Sequence, residues 1–295
     1  MLLASLAFWE DEEALTLLQS AAVSGNTAAE YALGLYFHRK QDIEAADHWF
    51  ELAASKGDGY ALYAMALRYE SERDEEQKLR YFRLAAEKGV AEAQYRLALL
   101  IENVPDREAP ENEEAFRWMK AAADQDHTRA NFCLGNYHRN GTGVDVDYEK
   151  AFDCYLKVIE LEDPDGFQRI GECYAAGRGA PQDDEIAFIC FRIAAEMGSS
   201  MGQCDLGIFY LEGRGCRQDT GLGFQWISQA VDSGHPQVFQ TLQGEGLDIA
   251  RLCNGYKRSQ QFMSKATGDW FGDTFDRVFN DSQMSIPAVA PGEKP

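Results

Sequence analysis

No stretch of this chain approaches the roughly 18 consecutive apolar residues that a membrane-crossing helix requires, so no helical span is expected. Basic residues are scarce: 28 Lys and Arg stand against 49 Asp and Glu, a net charge of −21. That balance removes the basic footprint needed for non-specific binding to nucleic acid or to an anionic membrane. Histidine is scarcer still, at five residues (His38, His48, His127, His138, His235), with no His-Glu-x-x-His and no paired Cys-x-x-Cys. No zinc site and no cofactor follow from such a set. Ser-x-x-Lys is absent too. Met1–Trp9 is apolar but lacks a positive leading region and a cleavage site, so a secretory signal is not expected.

The cysteines number seven, an odd count, and five of them (Cys133, Cys154, Cys173, Cys190, Cys204) fall on helix faces. Cys154 and Cys190 hold one position in successive helices. Helices packed about 8–10 Å apart leave such Cα atoms beyond disulfide reach. The expectation is small buried hydrophobes in a reducing, cytoplasmic compartment.

What the chain does have is a repeat. Six segments open small-x-x-x-apolar-small: Ala29…Leu33-Gly34, Ala61…Met65-Ala66, Ala93…Leu97-Ala98, Ala130…Leu134-Gly135, Gly166…Ile170-Gly171 and Gly202…Leu206-Gly207. Three residues on stand Phe37, Tyr69, Ile101, His138, Tyr174 and Tyr210. Offsets of four and three share one helix face, which defines a helix A. A helix B follows each time, with a large residue (Phe50, Phe82, Met119, Tyr155, Phe191, Ile227) three residues before Ala53, Ala85, Ala122, Val158, Ala194 or Ala230. Large residues facing small ones let two helices interdigitate closely. Gly25, Gly57, Gly89, Gly198 and Gly234 sit just past helix B, where a left-handed cap is needed. The period is 32 residues early and 36 or 37 later, and variation of that size belongs in the A–B connection.

Ala-x-x-x-Leu-Gly, Gly-x-Gly, Lys-Ala and the aromatic-then-Ala-Ala helix together resemble the Sel-one-like repeat (SLR) family, relatives of the tetratricopeptide repeats. The resemblance covers roughly residues 10–243. It is weakest from Asp58, where Lys78 replaces a small residue. It implies an all-α, right-handed α-α superhelix whose A helices line a concave surface, and a scaffold or adaptor without chemistry of its own. The organisation expected is a half repeat at 1–25 and hairpins at 26–57, 58–89, 90–126, 127–162, 163–198 and 199–234. Capping helices follow at 235–281, and a disordered tail at 282–295.

Acid clusters (Asp11–Glu13, Asp74–Glu76, Glu111–Glu114, Asp145–Glu149, Asp183–Glu185) precede or open the B helices, where carboxylates favour the helix dipole. Stacked, they also form an acidic edge for a basic partner. Gly141-Thr-Gly143, Gly177-Arg-Gly179 and Gly213-Arg-Gly215 follow helices, not strands, and read as turn glycines rather than phosphate loops. Gly198-Ser-Ser200-Met-Gly202 has the letters of a nucleophile elbow but stands at a helix-to-helix turn.

If the resemblance holds, a protein or peptide partner lies on the concave face. Tyr31, Tyr63, Tyr95 and Phe132 recur there, with Arg96, Arg129, Arg139 and Arg169 beside them and Asn136 on the next turn. Arginine forks suit carboxylates, so an acidic or C-terminal segment is the expected ligand, unless acids such as Glu92, Glu102 and Glu172 already occupy those arginines. Trp270, Phe271, Phe275 and Phe279 have helical spacing and serve either as a cap or as an anchor docking in a partner. The incomplete N-terminal repeat is a candidate for self-association. The leading expectation is a non-enzymatic scaffold. Its rivals are an immunity or inhibitor protein that neutralises a basic toxin or effector, and, least supported, a hydrolase using Ser200.

Overall fold

The computed structural model describes residues 12–102 and 109–244. Among them are fourteen α-helices and no strand. The B-type helices are α1 (Glu12–Val23), α3 (Ile43–Ser55), α5 (Glu75–Glu87), α7 (Ala109–Ala123), α9 (Tyr148–Glu160), α11 (Asp184–Glu196) and α13 (Thr220–Asp232). The A-type helices are α2 (Thr27–Arg39), α4 (Gly59–Glu72), α6 (Ala91–Glu102), α8 (Thr128–Asn140), α10 (Pro164–Ala176), α12 (Ser200–Glu212) and α14 (Pro236–Gly244). The chain divides into two compact units between Gly166 and Phe167, and each is described by itself.

Helix starts are fixed by side chains placed where the sequence puts them. Asn26, Asp42, Asp58, Asp74, Asp147, Asp183, Ser199 and Asp219 each accept a backbone N–H from the first turn of the helix they open. Such a cap contributes about 1 kcal/mol per helix. Within each unit a helix packs on the helices just before and after it, as in α1–α2–α3–α4–α5–α6–α7–α8–α9 and in α11–α12–α13–α14. Contacts of this kind make a stack of hairpins in which neighbours supply each other's core.

The large-on-small rule has a direct structural signature. A Cβ added to Gly34 would lie 2.4 Å from the Phe50 ring, and one on Gly135 would lie 2.4 Å from the Tyr155 ring. Gly171 and Phe191 (2.6 Å), and Gly207 and Ile227 (2.5 Å), repeat the arrangement in the second unit. Ala66 and Ala98 take the same place in a core with Phe82 and Met119. Phe82, Met119 and Tyr155 are fully buried, and each such side chain contributes about 1.5–3 kcal/mol. The repeat weakest in sequence keeps the geometry: Lys78 is buried along its stem, and its amine reaches Glu75.

The change of period falls in the A–B connections, as expected: 40–42 and 73–74 early, 141–147, 177–183 and 213–219 later. All five glycines after the B helices have positive φ, from +70° to +96°. Two repeats put an ordinary residue there, Asp126 (φ 58°) and Glu162 (φ 59°). A left-handed non-glycine residue costs about 1 kcal/mol. Glu162→Gly is therefore expected to leave stability unchanged or raise it by up to about 1 kcal/mol, read as the urea midpoint of the full chain. A fall would show that the Glu162 side chain has a stabilising role of its own.

At the N-terminal side, α1 meets α2 through Ala22, Ala29 and Leu33, with Leu15, Leu18 and Trp49 packed around them. Leu17 and Val23 are exposed. At the other end α14 buries Val238 and Leu242 against α12 and α13. Of the expected half repeat at 1–25 the part before Glu12, of the expected capping region at 235–281 the part beyond Gly244, and the tail at 282–295 lie outside the described residues.

Candidate partner-binding face

The four aromatic residues at the recurring A-helix position each pack on a defined ring neighbour. Tyr31 lies 5.9 Å from Phe50 of its own hairpin and 5.9 Å from Tyr60, which opens α4. Tyr63 leans on Phe82 at 5.8 Å and Phe132 on Tyr155 at 6.1 Å. Tyr95 stacks on His127 at 4.8 Å. These rings are half-buried, so they form the floor of the A-helix face and still show an edge to solvent. Burial raises the hydroxyl pKa of Tyr31, Tyr63 and Tyr95, which keeps them protonated donors at neutral pH.

The arginines separate into two kinds. Arg96 holds Glu92 (3.3 Å) and Glu70 (3.6 Å). Arg169, in the second unit, holds both oxygens of Glu172 at 3.1 and 2.8 Å and is largely buried. Glu92 and Glu172 are two of the acids expected to take up these arginines, and they do so. Burial would raise the Glu92 pKa, but hydrogen bonds from His127 and Arg96 outweigh it and hold the carboxyl below its usual range. Asn136 is engaged as well, accepting from the Tyr155 hydroxyl at 2.9 Å. Arg139 donates to Asn140 at 3.4 Å. Arg129 differs: it is exposed and makes no ion pair among the described residues.

The first unit thus gathers Tyr31, Tyr63, Tyr95, Arg96, Arg129, Phe132, Asn136 and Arg139 on consecutive A helices, while Arg169 belongs to the second. Trp270, Phe271, Phe275 and Phe279 lie outside the described residues. Three features escaped the sequence reading. Tyr60 is 59% exposed beside Tyr31, the most open aromatic of this face. His127 is itself a helix cap: its Nδ1 accepts the Ala130 N–H at 3.2 Å while Nε2 meets Glu92 at 2.8 Å. Amides at one repeat position tie three of the A helices, α6, α8 and α12, to the preceding helix B, with Gln94 donating to the Ala86 carbonyl (3.2 Å), Asn131 to Ala123 (3.3 Å) and Gln203 to Ala195 (3.4 Å). The recurrence of Gln or Asn directly after the small residue was the available signal.

The acid clusters are used in part within the chain. Asp74, Asp147 and Asp183 are the caps already described. Glu114 takes Arg83 at 2.7 Å and the Trp118 indole N–H at 3.3 Å. Asp184 receives Arg214 through Nη2 (2.7 Å) and Nε (3.2 Å), and the Arg214 guanidinium lies 4.3 Å from the centre of the Phe209 ring. Glu76, Glu149 and Glu185 remain exposed. The Gly-x-Gly loops are packing devices: a Cβ on Gly143 would lie 2.1 Å from the Asn112 carbonyl oxygen, one on Gly215 1.9 Å from that of Asp184. Ser199 caps α12, accepting the Gly202 N–H at 3.2 Å, and Ser200 is the first residue of that helix. Among the described residues no three His, Cys, Asp or Glu side chains converge to hold a metal ion. No helix among them is long and apolar enough to cross a membrane.

Hairpins that contact only their neighbours and carry a small-on-large seam define an α-solenoid of helical repeats. Six segments, 27–58, 59–90, 91–127, 128–163, 168–199 and 200–235, match the Sel1 repeat, and the chain belongs to that family. Its fold is similar to that of a protective antigen present in uropathogenic Escherichia coli strains, which displays an SLR fold. The TM-score is 0.67 at 26% identity, over 84% of this chain and 56% of that one. The present chain therefore spans little more than half the length of that protein. A Sel1 repeat protein from Oxalobacter formigenes shares the fold with a TM-score of 0.61 at 24% identity, over 74% of this chain and 90% of the other. No curated protein matches the chain in sequence.

Proposed function

We propose that the protein is a non-enzymatic scaffold that binds a segment of a partner protein along the A helices of its first unit. The family's association with protein–protein interaction supports the class. The observation that carries the site is the open tyrosine at one end of the aromatic floor, Tyr60, with the unengaged guanidinium of Arg129 at the other. Tyrosine supplies amphipathic contact area at low entropy cost, and an unpaired arginine offers a fork to a carboxylate. The preferred ligand is a chain segment with an apolar stretch and an acidic residue or terminus. Arg96 and Arg169 play a lesser part, because their forks are already filled. Capture of a basic partner by the acid clusters is the weaker reading, since in each cluster from Asp74 onward at least one carboxylate caps a helix or holds an arginine or lysine.

The test is titration of the native partner, recovered by pull-down, against wild type, Tyr60→Ala and Arg129→Glu. A loss of about 1–3 kcal/mol in affinity is expected for Arg129→Glu, with the salt dependence reduced alongside. Equal affinity for all three proteins would overturn the site. The same proposal puts the chain in the cytoplasm. Six described cysteines are free, and burial pushes Cys133 and Cys154 up to about 11 and Cys190 to about 12, as befits unreactive thiols in a reducing compartment. Recovery of the protein in an oxidising compartment by cell fractionation would contradict this.

A further inference from the structure

We propose that the outer face of α5 and α7 is a second docking site, which takes a short, carboxylate-rich segment of another protein. Four cations stand there. Arg80 and Arg83 lie one turn apart on α5, and Arg117 and Lys120 hold the same two places on α7. Both helices turn their large residue, Phe82 or Met119, fully into the core, which leaves the cations on the solvent side. Arg80, Arg117 and Lys120 are exposed, and Arg83 is partly so. The two helices meet at this face, because Arg83 reaches across to Glu114 of α7 at 2.7 Å.

The repeat does not demand these residues. The same two places hold His48 and Glu51 on α3 and Asp153 and Leu156 on α9, and no other described B helix has a cation at both. Nor are the charges spent inside the chain. Arg117 makes no ion pair among the described residues, and Arg80 has only the Tyr81 ring at 5.9 Å and the Gln77 amide oxygen at 3.5 Å. Lys120 holds Asp124 at 2.6 Å. This pair and that of Arg83 with Glu114 are both open to solvent, and such pairs are weak enough for a ligand carboxylate to share or replace them.

The surroundings select the ligand. Exposed acids close the patch along both helices: Glu76 and Glu113 stand four residues before the arginines, and Glu87 and Asp124 four residues after the second cation. Exposed Glu51 and Asp153 flank it on α3 and α9. A nucleic-acid strand needs a continuous basic track, and an island of this size in a chain of net charge −21 does not offer one. A single phosphate needs cations that converge on a point, whereas these are spread over two helices. Several carboxylates on one short segment match that spread. The Debye length of about 8 Å at physiological salt confines the repulsion from more distant acids, so a short ligand responds to the patch itself. The half-buried rings of Tyr81 and Trp118, next to Arg80 and Arg117, add apolar contact. The patch stands on B helices, apart from the A-helix face, so one molecule can hold two partner segments at once.

The test uses the full chain and reads the Trp118 indole, whose N–H donates to Glu114 inside the patch at 3.3 Å. Its proton resonance, assigned through Trp118→Phe, is followed while hexaglutamate is added at low salt. A saturable shift is expected, and hexalysine is expected to give none. In Arg80→Gln/Arg117→Gln the half-saturating concentration is expected to rise about fivefold or more. Lys157→Gln removes an exposed cation of α9 outside the patch and is expected to leave the titration unchanged. The other indole resonances report whether each variant is folded, and if the double variant is not, Arg117→Gln alone is expected to show a smaller rise. Absence of a shift with hexaglutamate overturns the proposal, as does an equal weakening in Lys157→Gln. Tighter binding of hexathymidylate at the same arginines also overturns it, in favour of nucleic acid. None of these outcomes depends on whether the A-helix face has been assigned correctly.

Discussion

Lys56→Met is expected to lower the stability of the first unit by about 3–5 kcal/mol, seen as an earlier transition in chemical denaturation and as lost protection of α2. The reason is Glu30, whose side chain is 1% exposed and whose Oε1 lies 2.5 Å from the Lys56 ammonium. Its second oxygen is buried with no hydrogen-bond partner among the described residues, so Lys56 is what stands between this carboxylate and an uncompensated charge in the core. Lys56 also reaches the Gly25 carbonyl at 3.4 Å, tying the turn before α2 to the end of α3. Removing both charges should reverse the loss. Leu62 and Phe167 occupy the place of Glu30 in other repeats, so Glu30→Leu combined with Lys56→Met is expected to recover most of the stability. A single variant as stable as wild type would show that water reaches Glu30 and that the pair does not hold α2.

A second large effect is expected at Gly215. Its φ is +61°, and a Cβ there would lie 1.9 Å from the Asp184 carbonyl oxygen and 2.5 Å from its carbon. Both obstacles are backbone, at the start of α11, and cannot rotate aside. Gly215→Val should therefore combine left-handed strain with a forced separation of the 213–219 connection from α11, at a cost of about 3 kcal/mol or more. It should also pull Arg214 away from Asp184. Gly198→Ala is the matched control. Its φ is +96°, yet nothing lies within 4 Å of the added carbon, so strain alone remains, at about 1–2 kcal/mol. Equal melting temperatures for the two variants would show that backbone conformation alone governs, and that the close approach to Asp184 is easily relieved.

The comparison of Gly198 with Gly215 also shows how far the sequence could be read. Both glycines belong to recurring turn signatures, and both were expected to be left-handed. That much is local, because φ is set by the turn the residue itself makes. Nothing in the letters Gly-Arg-Gly shows that the second glycine presses on a carbonyl some thirty residues upstream.

The division runs the same way through the candidate site. Periodicity alone located Tyr31, Tyr63, Tyr95 and Phe132, since a repeat must present equivalent positions on equivalent faces. It could not separate Arg129 from Arg96 and Arg169, because a guanidinium is free or occupied according to whether a carboxylate on the same or an adjacent helix falls within its reach. His127 was legible only as a residue without a metal motif, and its role as a cap emerges from the meeting of α8 with Glu92 and Tyr95.

The sequence by itself determined the helices, their pairing and the seam between large and small side chains, because each hairpin contacts only its neighbours and every decisive contact is short in sequence. Only the tertiary structure decided which charges are spent inside the stack and which face outward. That outcome rests on distances of an ångström or two between side chains from successive hairpins, and no spacing along the chain encodes them.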